Sequence, residues 1–301
     1  VKTLWTREDD MRGLWYRPFV MSRVQAAVDA KGKPTAWQQS TISQPVIKAS
    51  PFAKFAIKAD GIDPSSVEGV VDMPYGIANL SVDLHDGNPT IPIQWWRSVG
   101  HSHTAFVVES ALDELAALGG QDPLEIRRGL LAEQPRHLAV LNAVAKMAKW
   151  QSKPPAGRAR GIALHASFGS IAAQVAEVSV SDGQVCVHRV WCAIDCGFAV
   201  NPDGVVAQME SGIIYGLSAA LTGEITIESG RPIQGNFDTY PIVRINETPT
   251  IEVQIVASDG RMGGVGEPGT PPIAPAVCNA IFAATGQRIR RLPISASLER
   301  V

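Results

Sequence analysis

The chain has 301 residues, a formal net charge of -2, a hydrophobic fraction of 45% and a charged fraction of 19%. A chain of this length can bury a sizeable core and commonly forms two domains. The near-neutral charge balance argues against nucleic-acid binding, which needs clustered positive charge. No apolar run approaches the roughly 18 residues that predict a membrane span.

The first half of the chain predicts short strands followed by helices. Residues 1–60 mix apolar runs with turn residues, and TREDDMR near the start predicts a solvated loop. From residue 69 onward, short strands separated by Gly, Pro and Asn end in a turn. That turn carries Arg97, Gly100, His101 and His103.

Three helices are predicted next. The apolar spacing predicts an amphipathic helix from Ala105 to Leu118, whose polar face would carry Glu109, Asp113 and Glu114. Asp122 before Pro123 is a capping pattern that starts a second helix. A third is predicted from Leu138 to Trp150. The segment QSKPPAGRARG then breaks the periodicity, so we place a domain boundary between residues 1–152 and 153–301.

The second half mixes strands and helices without strict alternation. Residues 162–195 predict two strands joined by a turn at Ser181, Asp182 and Gly183. Residues 201–223 predict a helix with Pro202 near its start. Strands are predicted in GEITIESGRPI and TIEVQIVAS, and a buried helix that ends at Gly286 follows. We therefore predict an α+β fold.

The cysteines lack a metal-binding spacing. Cys186, Cys192, Cys196 and Cys278 include no C-x-x-C pair, which disfavours a zinc ribbon or an iron–sulfur cluster held by this chain. We predict buried, unpaired thiols, with a disulfide as the alternative.

Glu267 is the only charged side chain between Met262 and Gly286. Apolar surroundings disfavour the charged form of a carboxylate, which would tune Glu267 toward a general base that works near neutral pH. The neighbouring Gly266 would let a ligand approach the backbone. The alternative is an exposed turn residue just before a helix.

Other polar residues leave similar alternatives open. Arg97 could clamp an anion or pack on Trp96, and Gln208 could bind a polar ligand or lie on a helix surface. His101 and His103 share a face if the chain is extended, yet they lack a third ligand nearby, which disfavours a metal site. Phe168, Gly169 and Ser170 could contact substrate or simply begin a strand.

Three long motifs resemble the large subunits of molybdenum hydroxylases, in the xanthine dehydrogenase and aldehyde oxidase superfamily that includes isoquinoline 1-oxidoreductase-like enzymes. The motifs are WWRSVGHSHTAFVVESALDELA, AIDCGFAVNPDGVVAQMESGIIYGLSAAL and GGVGEPGTPPIAPAVCNAIFAATGQRIRRLP. They occur in the family's order, and the resemblance spans nearly the whole chain. It implies the molybdenum cofactor-binding fold of that superfamily.

The resemblance assigns roles to individual residues. GVGEP matches the family segment with the active-site glutamate, which implies that Glu267 takes a proton from a metal-bound hydroxyl that attacks an electron-poor carbon. WRSVG matches a loop beside the metal, which implies cofactor contacts at Arg97, Ser98, Val99 and Gly100. The match further implies cofactor contacts at Gln208 and Gly212. From their own positions in the sequence, Gly266 is expected to contact the cofactor, and Phe168, Gly169 and Ser170 are expected to contribute to a substrate pocket. The molybdenum itself would be held by the pterin dithiolene, with no protein ligand.

The resemblance also implies partners. The family's glycine-rich cofactor loops are missing from this chain, and the chain begins without Met, so we expect the C-terminal portion of a larger subunit. Its relatives resemble enzymes that use molybdopterin cytosine dinucleotide and a small subunit with 2Fe–2S clusters. The substrate would be an N-heteroaromatic compound or an aldehyde. Export or membrane association is expected by resemblance, with the cytoplasm as the alternative, and the alternative function is a non-catalytic cofactor-binding or docking fragment.

Overall fold

A computed structural model describes residues 1–87 and 91–298 of the chain. The strands are β1 (Val20–Val28), β2 (Pro34–Ser43), β3 (Asn79–Asp86), β4 (Ala159–Ser167), β5 (Ser170–Ser181), β6 (Gln184–Asp195), β7 (Ile227–Glu228), β8 (Arg231–Pro232) and β9 (Thr250–Ile255). The α-helices are α1 (Arg7–Gly13), α2 (Ala53–Ala56), α3 (His101–Leu118), α4 (Pro123–Leu130), α5 (Pro135–Met147), α6 (Pro202–Leu221), α7 (Ile273–Thr285) and α8 (Ser295–Leu298). A short 3-10 helix covers Pro64–Ser66.

Two sheets organise the described part of the chain. In the larger one, β4, β5 and β6 are antiparallel neighbours, and β9 pairs in parallel with β6. In the smaller one, β2 lies between antiparallel β1 and parallel β3. Strands and helices do not alternate regularly, so the predicted α+β class is confirmed.

The larger sheet is buried on both faces. Ile162, Leu164 and Trp191 contribute to one core with α3, α4 and α5. Ala163 and Cys192, which point to the opposite face, join a second core with α6 and α7. This sheet therefore forms the layer on which the helices around the candidate site are placed. No helix among residues 1–87 and 91–298 is long and apolar enough to span a membrane.

The predicted polar face of α3 is wrong for two of its three residues. Glu109 is completely buried and its Oε2 lies 2.8 Å from Arg127 Nε, while Tyr75 and the backbone N–H of Leu164 also donate to its carboxylate. Asp113 is also buried and forms an ion pair with Arg288. Partners distant in sequence make burial possible, because a charged group must be paired to leave water.

Several local predictions need correction. TREDDMR is not a loop, because Thr6 caps the helix α1. Residues 162–195 hold three strands rather than two, since a tight turn at Phe168 and Gly169 separates β4 from β5. Asp182 and Gly183 do form the predicted turn, which in the structure lies between β5 and β6, with φ angles of 51° and 71°.

Helix starts and ends set by local capping are confirmed. The Asp122 carboxylate accepts from the N–H groups of Leu124 and Glu125 at the start of α4. Gly286 ends α7 with a left-handed φ of 76°. The third predicted helix begins three residues earlier in the sequence than expected, as α5. The strand predicted in GEITIESGRPI is a short hairpin in which β7 and β8 have two residues each.

The cysteines are free, as predicted, although burial differs between them. Cys192, Cys196 and Cys278 are buried, whereas Cys186 is exposed. The domain boundary near residue 152 stays a prediction. Across it, Val140 and Leu141 on α5 belong to the same core as Ile162 and Val175 of the larger sheet.

Candidate active site

A strained loop between Trp96 and Gly100 leads directly into α3. Ser98 and Val99 both adopt positive φ, at 74° and 46°, which is unusual for residues with a side chain. The Val99 N–H donates to Trp96 O at 2.8 Å, and Ser102 Oγ donates to Val99 O at 2.7 Å. Since α3 begins at His101, the predicted turn ends at Gly100.

The loop holds Glu267 by two hydrogen bonds. The Ser98 N–H donates to Glu267 Oε1 at 2.9 Å, and Ser98 Oγ donates to the Glu267 carbonyl oxygen at 2.7 Å. Glu267 is half-buried. Its second carboxylate oxygen, Oε2, has no hydrogen-bond partner among the described residues. One oxygen is thus anchored and the other can still accept a proton.

The guanidinium of Arg97 joins three segments beside Glu267. Arg97 Nε donates to Gly266 O at 2.8 Å, Nη1 donates to Ser211 Oγ at 3.0 Å, and Nη2 donates to Gln208 Oε1 at 3.1 Å. Among the described residues, no ion pair joins Arg97 to the Glu267 carboxylate. The expectation that Glu267 has charge-free surroundings is therefore wrong in the folded protein. Arg97 lies close to Glu267, although its hydrogen bonds go to other residues.

Burial lowers the pKa of Arg97, and the nearby Tyr215 and Glu267 oppose that shift. The arginine nevertheless stays charged near neutral pH because its reference pKa is so high. Tyr215 also stacks on Trp96, with ring centroids 4.8 Å apart. Charge and stacking therefore tie the 96–100 loop to α6.

Gln208 lies on the exposed side of α6, as the sequence alternative allowed. Because an arginine can only donate, its contact with Arg97 requires the amide oxygen of Gln208 on that side. The amide nitrogen has no partner among the described residues and is available as a donor. Gly212 is buried, and a Cβ at this position would lie 3.1 Å from Gly269. Because glycine has no Cβ, α6 can approach the segment that follows Glu267.

The Phe168–Ser170 turn borders the same loop. Phe168 O accepts from the Gly264 N–H at 2.7 Å, and Ser170 Oγ donates to Gly264 O at 2.7 Å. Ser170 is buried, whereas Phe168 is 38% exposed. The turn therefore supports the backbone just before Glu267, while the Phe168 ring packs edge-on against His101, with ring centroids 5.3 Å apart.

The two histidines of the motif point to different neighbours. His101 Nδ1 lies 2.9 Å from His165 Nε2, and His103 Nε2 lies 3.2 Å from Ser66 O. Because both lie on a helix, they do not share the face expected for an extended chain. Glu68, which the sequence patterns did not reveal, accepts the Gly100 N–H at 2.7 Å.

Comparisons with known proteins place the chain among molybdopterin-binding proteins. Residues 124–249 match the model of the molybdopterin cofactor-binding domain family. The protein named isoquinoline 1-oxidoreductase subunit beta from Brevundimonas diminuta is 33% identical over 307 residues, covering 100% of this chain and 39% of that protein. The chain belongs to the molybdenum hydroxylase large-subunit family.

Two further comparisons place this molybdenum hydroxylase chain among its relatives. The membrane-bound aldehyde dehydrogenase (pyrroloquinoline-quinone) of Gluconacetobacter polyoxogenes is 31% identical, covering 98% of this chain and 41% of that protein. The structure of quinoline 2-oxidoreductase from Pseudomonas putida 86 matches with a TM-score of 0.79 at 14% identity, covering 99% of this chain and 64% of that chain. The chain spans about two fifths of the length of each of these two curated relatives.

The residues of the site fit a polar cofactor. Gln208 offers its amide nitrogen as a hydrogen-bond donor. Gly266 is exposed, and the nearest atom to a Cβ added there would be Gln208 Oε1, at 3.9 Å. The open flank of Gly266 leaves room for a ligand beside Glu267. Among the described residues, no group of three His, Cys, Asp or Glu side chains is arranged to hold a metal ion. That the predicted residues contact a pterin stays a prediction.

Proposed function

We propose that this chain is the C-terminal portion of the molybdopterin-binding catalytic subunit of a molybdenum hydroxylase, with Glu267 as the general base. One observation carries the proposal: the Glu267 carboxylate is anchored at Oε1 by the Ser98 N–H, and Oε2 has no partner among the described residues. A base must be held in place and still have a free lone pair.

The surrounding residues support this role. Bound molybdopterin with its molybdenum would supply a two-electron oxidant and activate water. Glu267 would accept the proton of that water at Oε2. Arg97 donates its hydrogen bonds to Gly266 O, Ser211 and Gln208. It therefore positions the backbone next to Glu267 without forming an ion pair with the base.

We propose an N-heteroaromatic compound as the substrate class, with an aldehyde as the second candidate. Phe168, whose backbone oxygen accepts from Gly264 three residues before Glu267, has a partly exposed ring that suits an aromatic substrate, because aromatic rings pack well on each other. The names of two relatives, an isoquinoline oxidoreductase and an aldehyde dehydrogenase, support one candidate each. Competing turnover of an N-heteroaromatic compound and an aldehyde by the full enzyme distinguishes them.

The complete enzyme would contain more than this chain. We propose that the missing part of the large subunit completes the cofactor site, since the chain covers 39% of its isoquinoline oxidoreductase relative. We also propose the cytosine dinucleotide form of molybdopterin and a small partner subunit with two 2Fe–2S clusters, which would carry the electrons away.

Metal analysis of the full-length large subunit, purified together with its small partner, tests this function. The proposal predicts about one molybdenum and about four irons per complex, because two 2Fe–2S clusters hold four irons. Turnover in isotopically labelled water should then place the label in the product. A folded complex without molybdenum, despite an adequate cofactor supply, would instead favour a non-catalytic docking fragment.

A further inference from the structure

Behind the 96–100 loop lies a largely buried group of titratable side chains that have no role in the proposed general-base reaction. Glu68 Oε1 accepts the Gly100 N–H at 2.7 Å, and Glu68 Oε2 lies 3.7 Å from His101 Nε2. His101 Nδ1 in turn lies 2.9 Å from His165 Nε2. The side chains of Glu68 and His101 are 27% and 9% exposed, so most of this network is shielded from water.

Close packing fixes the position of this network. A Cβ at Gly100 would overlap the carbonyl oxygen of Ser65. A Cβ at Gly69 would lie 2.6 Å from His165 Cε1, and Thr104 Oγ1 donates to Glu68 O at 2.8 Å. The backbone around Glu68 is thus held between the 96–100 loop and strand β4. Because the packing is close, a movement of the Glu68 backbone would displace the 96–100 loop.

We propose that Glu68 is a positioning residue for Glu267, acting through Gly100 and the strained Ser98 loop, and that the charge of Glu68 controls how firmly this loop is held. The proposal rests on the proposed function of Glu267. The path is short: Glu68 holds the Gly100 N–H, and two residues earlier the Ser98 N–H holds Glu267 Oε1. The positive φ of Ser98 and Val99 needs such an anchor, because strained backbone persists only when its surroundings over-determine it.

The histidine pair follows the charge of Glu68. An ionised Glu68 favours a proton on His101 Nε2, so Nδ1 accepts and His165 Nε2 donates. When Glu68 takes one proton from solvent, this preference is lost and the charge-assisted bond to Gly100 becomes an ordinary one. Burial lowers the pKa of His101 to about 4, so neither state needs a charged histidine near neutral pH.

The surroundings of Glu68 place this change near neutral pH. Burial raises the pKa of Glu68 to about 7, against the opposing hydrogen bond from Gly100. The titratable groups around the network are Asp63 and Asp72 on the segment of Glu68, His101 and His103 on α3, and His165 on β4. The two aspartates raise the pKa further, and the buried histidines stay neutral because burial lowers the pKa of each.

The test uses the full-length holoenzyme and infrared difference spectra between about pH 6 and pH 8, with Glu68→Gln as the variant. The wild type should gain a protonated carboxylic acid band as the pH falls through about 7, and E68Q should lack it. Asp72→Asn is the matched control. It should keep the band and move it to lower pH, because one negative neighbour is gone.

Stability and turnover separate positioning from a merely structural role. The pKa of Glu68 is raised from 4.5 to about 7 in the folded state, so stability is lost as the pH rises from 4.5 to about 7, and above about 7 the full cost of the ionised side chain is present. E68Q can still accept the Gly100 N–H, so above this pH it should be more stable than the wild type. Its turnover should nevertheless stay at the low-pH level of the wild type, without the rise near pH 7.

Two results would overturn the proposal: a carboxylic acid band that persists in E68Q, or a pH–turnover profile that E68Q leaves unchanged. The infrared band does not depend on turnover. If the holoenzyme oxidises no substrate while the band still titrates and vanishes in E68Q, then the proposed function fails and the assignment of the buried acid stands.

Discussion

The backbone N–H of Ser98 lies 2.9 Å from Oε1 of Glu267, although 169 positions separate the two residues in sequence. The Ser98 hydroxyl also donates to the Glu267 carbonyl oxygen. Side chain and backbone of the same serine therefore hold the glutamate at two points. This double attachment ties the loop before α3 to the glycine-rich loop before α7.

Ser98→Ala tests the second attachment alone. The variant keeps the N–H that anchors the carboxylate and loses the hydroxyl bond at 2.7 Å. A single hydrogen bond contributes about 1 kcal/mol, so we expect kcat to fall by about three- to tenfold with little change in KM. Steady-state kinetics of the full enzyme check this. A raised KM with unchanged kcat would mean that Ser98 serves substrate binding instead.

Arg97→Lys tests the clamp between the two loops and α6. A lysine has no planar fork and cannot reach Gly266 O, Ser211 and Gln208 together. We expect kcat/KM to fall by about 10²-fold, because two charge-assisted bonds are lost at about 1.5 kcal/mol each or more. Arg23→Lys on the exposed side of β1 is the control and should have no effect. Equal kinetics for both variants would exclude the clamp.

Asp195→Asn tests the support beneath the loop at residues 258–263. Burial alone would raise the pKa of Asp195, yet the bonds from Arg136, Ser258 and the Gly197 N–H hold it at about 2. A depressed pKa stabilises the fold above the unfolded value of about 3.9, and this contribution is lost as the pH falls toward 2.

We therefore expect D195N to lose about 2 kcal/mol of unfolding free energy at neutral pH, with a smaller loss as the pH falls below about 4. Urea unfolding at several pH values measures this. Asp182→Asn in the exposed β5–β6 turn is the control and should be near neutral throughout. A difference that does not depend on pH would argue against an ionised Asp195.

Glu109→Ala tests the buried ion pair of the core. Both Glu109 and Arg127 have fully buried side chains, and the variant would leave the arginine without its carboxylate. Breaking such a pair costs about 3–5 kcal/mol. Glu114→Ala on the same helix removes an exposed pair with Arg290 and should cost about 1 kcal/mol or less. Similar losses from both variants in urea unfolding would contradict the buried pair.

The sequence predicted those features of the fold that local contacts determine. Asp122 and Gly286 cap their helices through groups within a few residues, so their patterns were informative. The polar face of α3 was wrong because Glu109 and Asp113 find partners 18 and 175 residues away. Periodicity treats such residues as solvated, since it contains no information about distant partners.

The candidate site could likewise be predicted only in part from the sequence. Glu267 stood out because the surrounding segment carries no other charge, and the resemblance supplied its role. Its contact with Ser98 N–H could not be predicted, because any residue offers a backbone donor. Glu68 was missed for the same reason: it recognises the backbone of Gly100, 32 positions away, and SSVEGV gives no local signal.

The most direct test of Glu267 as the general base is turnover by Glu267→Gln in the full-length enzyme, with its molybdenum content measured in parallel. Glutamine keeps the size of the side chain and can accept the Ser98 N–H, but it cannot take a proton. We expect unchanged molybdenum content and a loss of kcat of about 10²-fold or more, while the exposed control Glu228→Gln stays active. Turnover within about tenfold of the wild type would contradict the role of Glu267 as the general base.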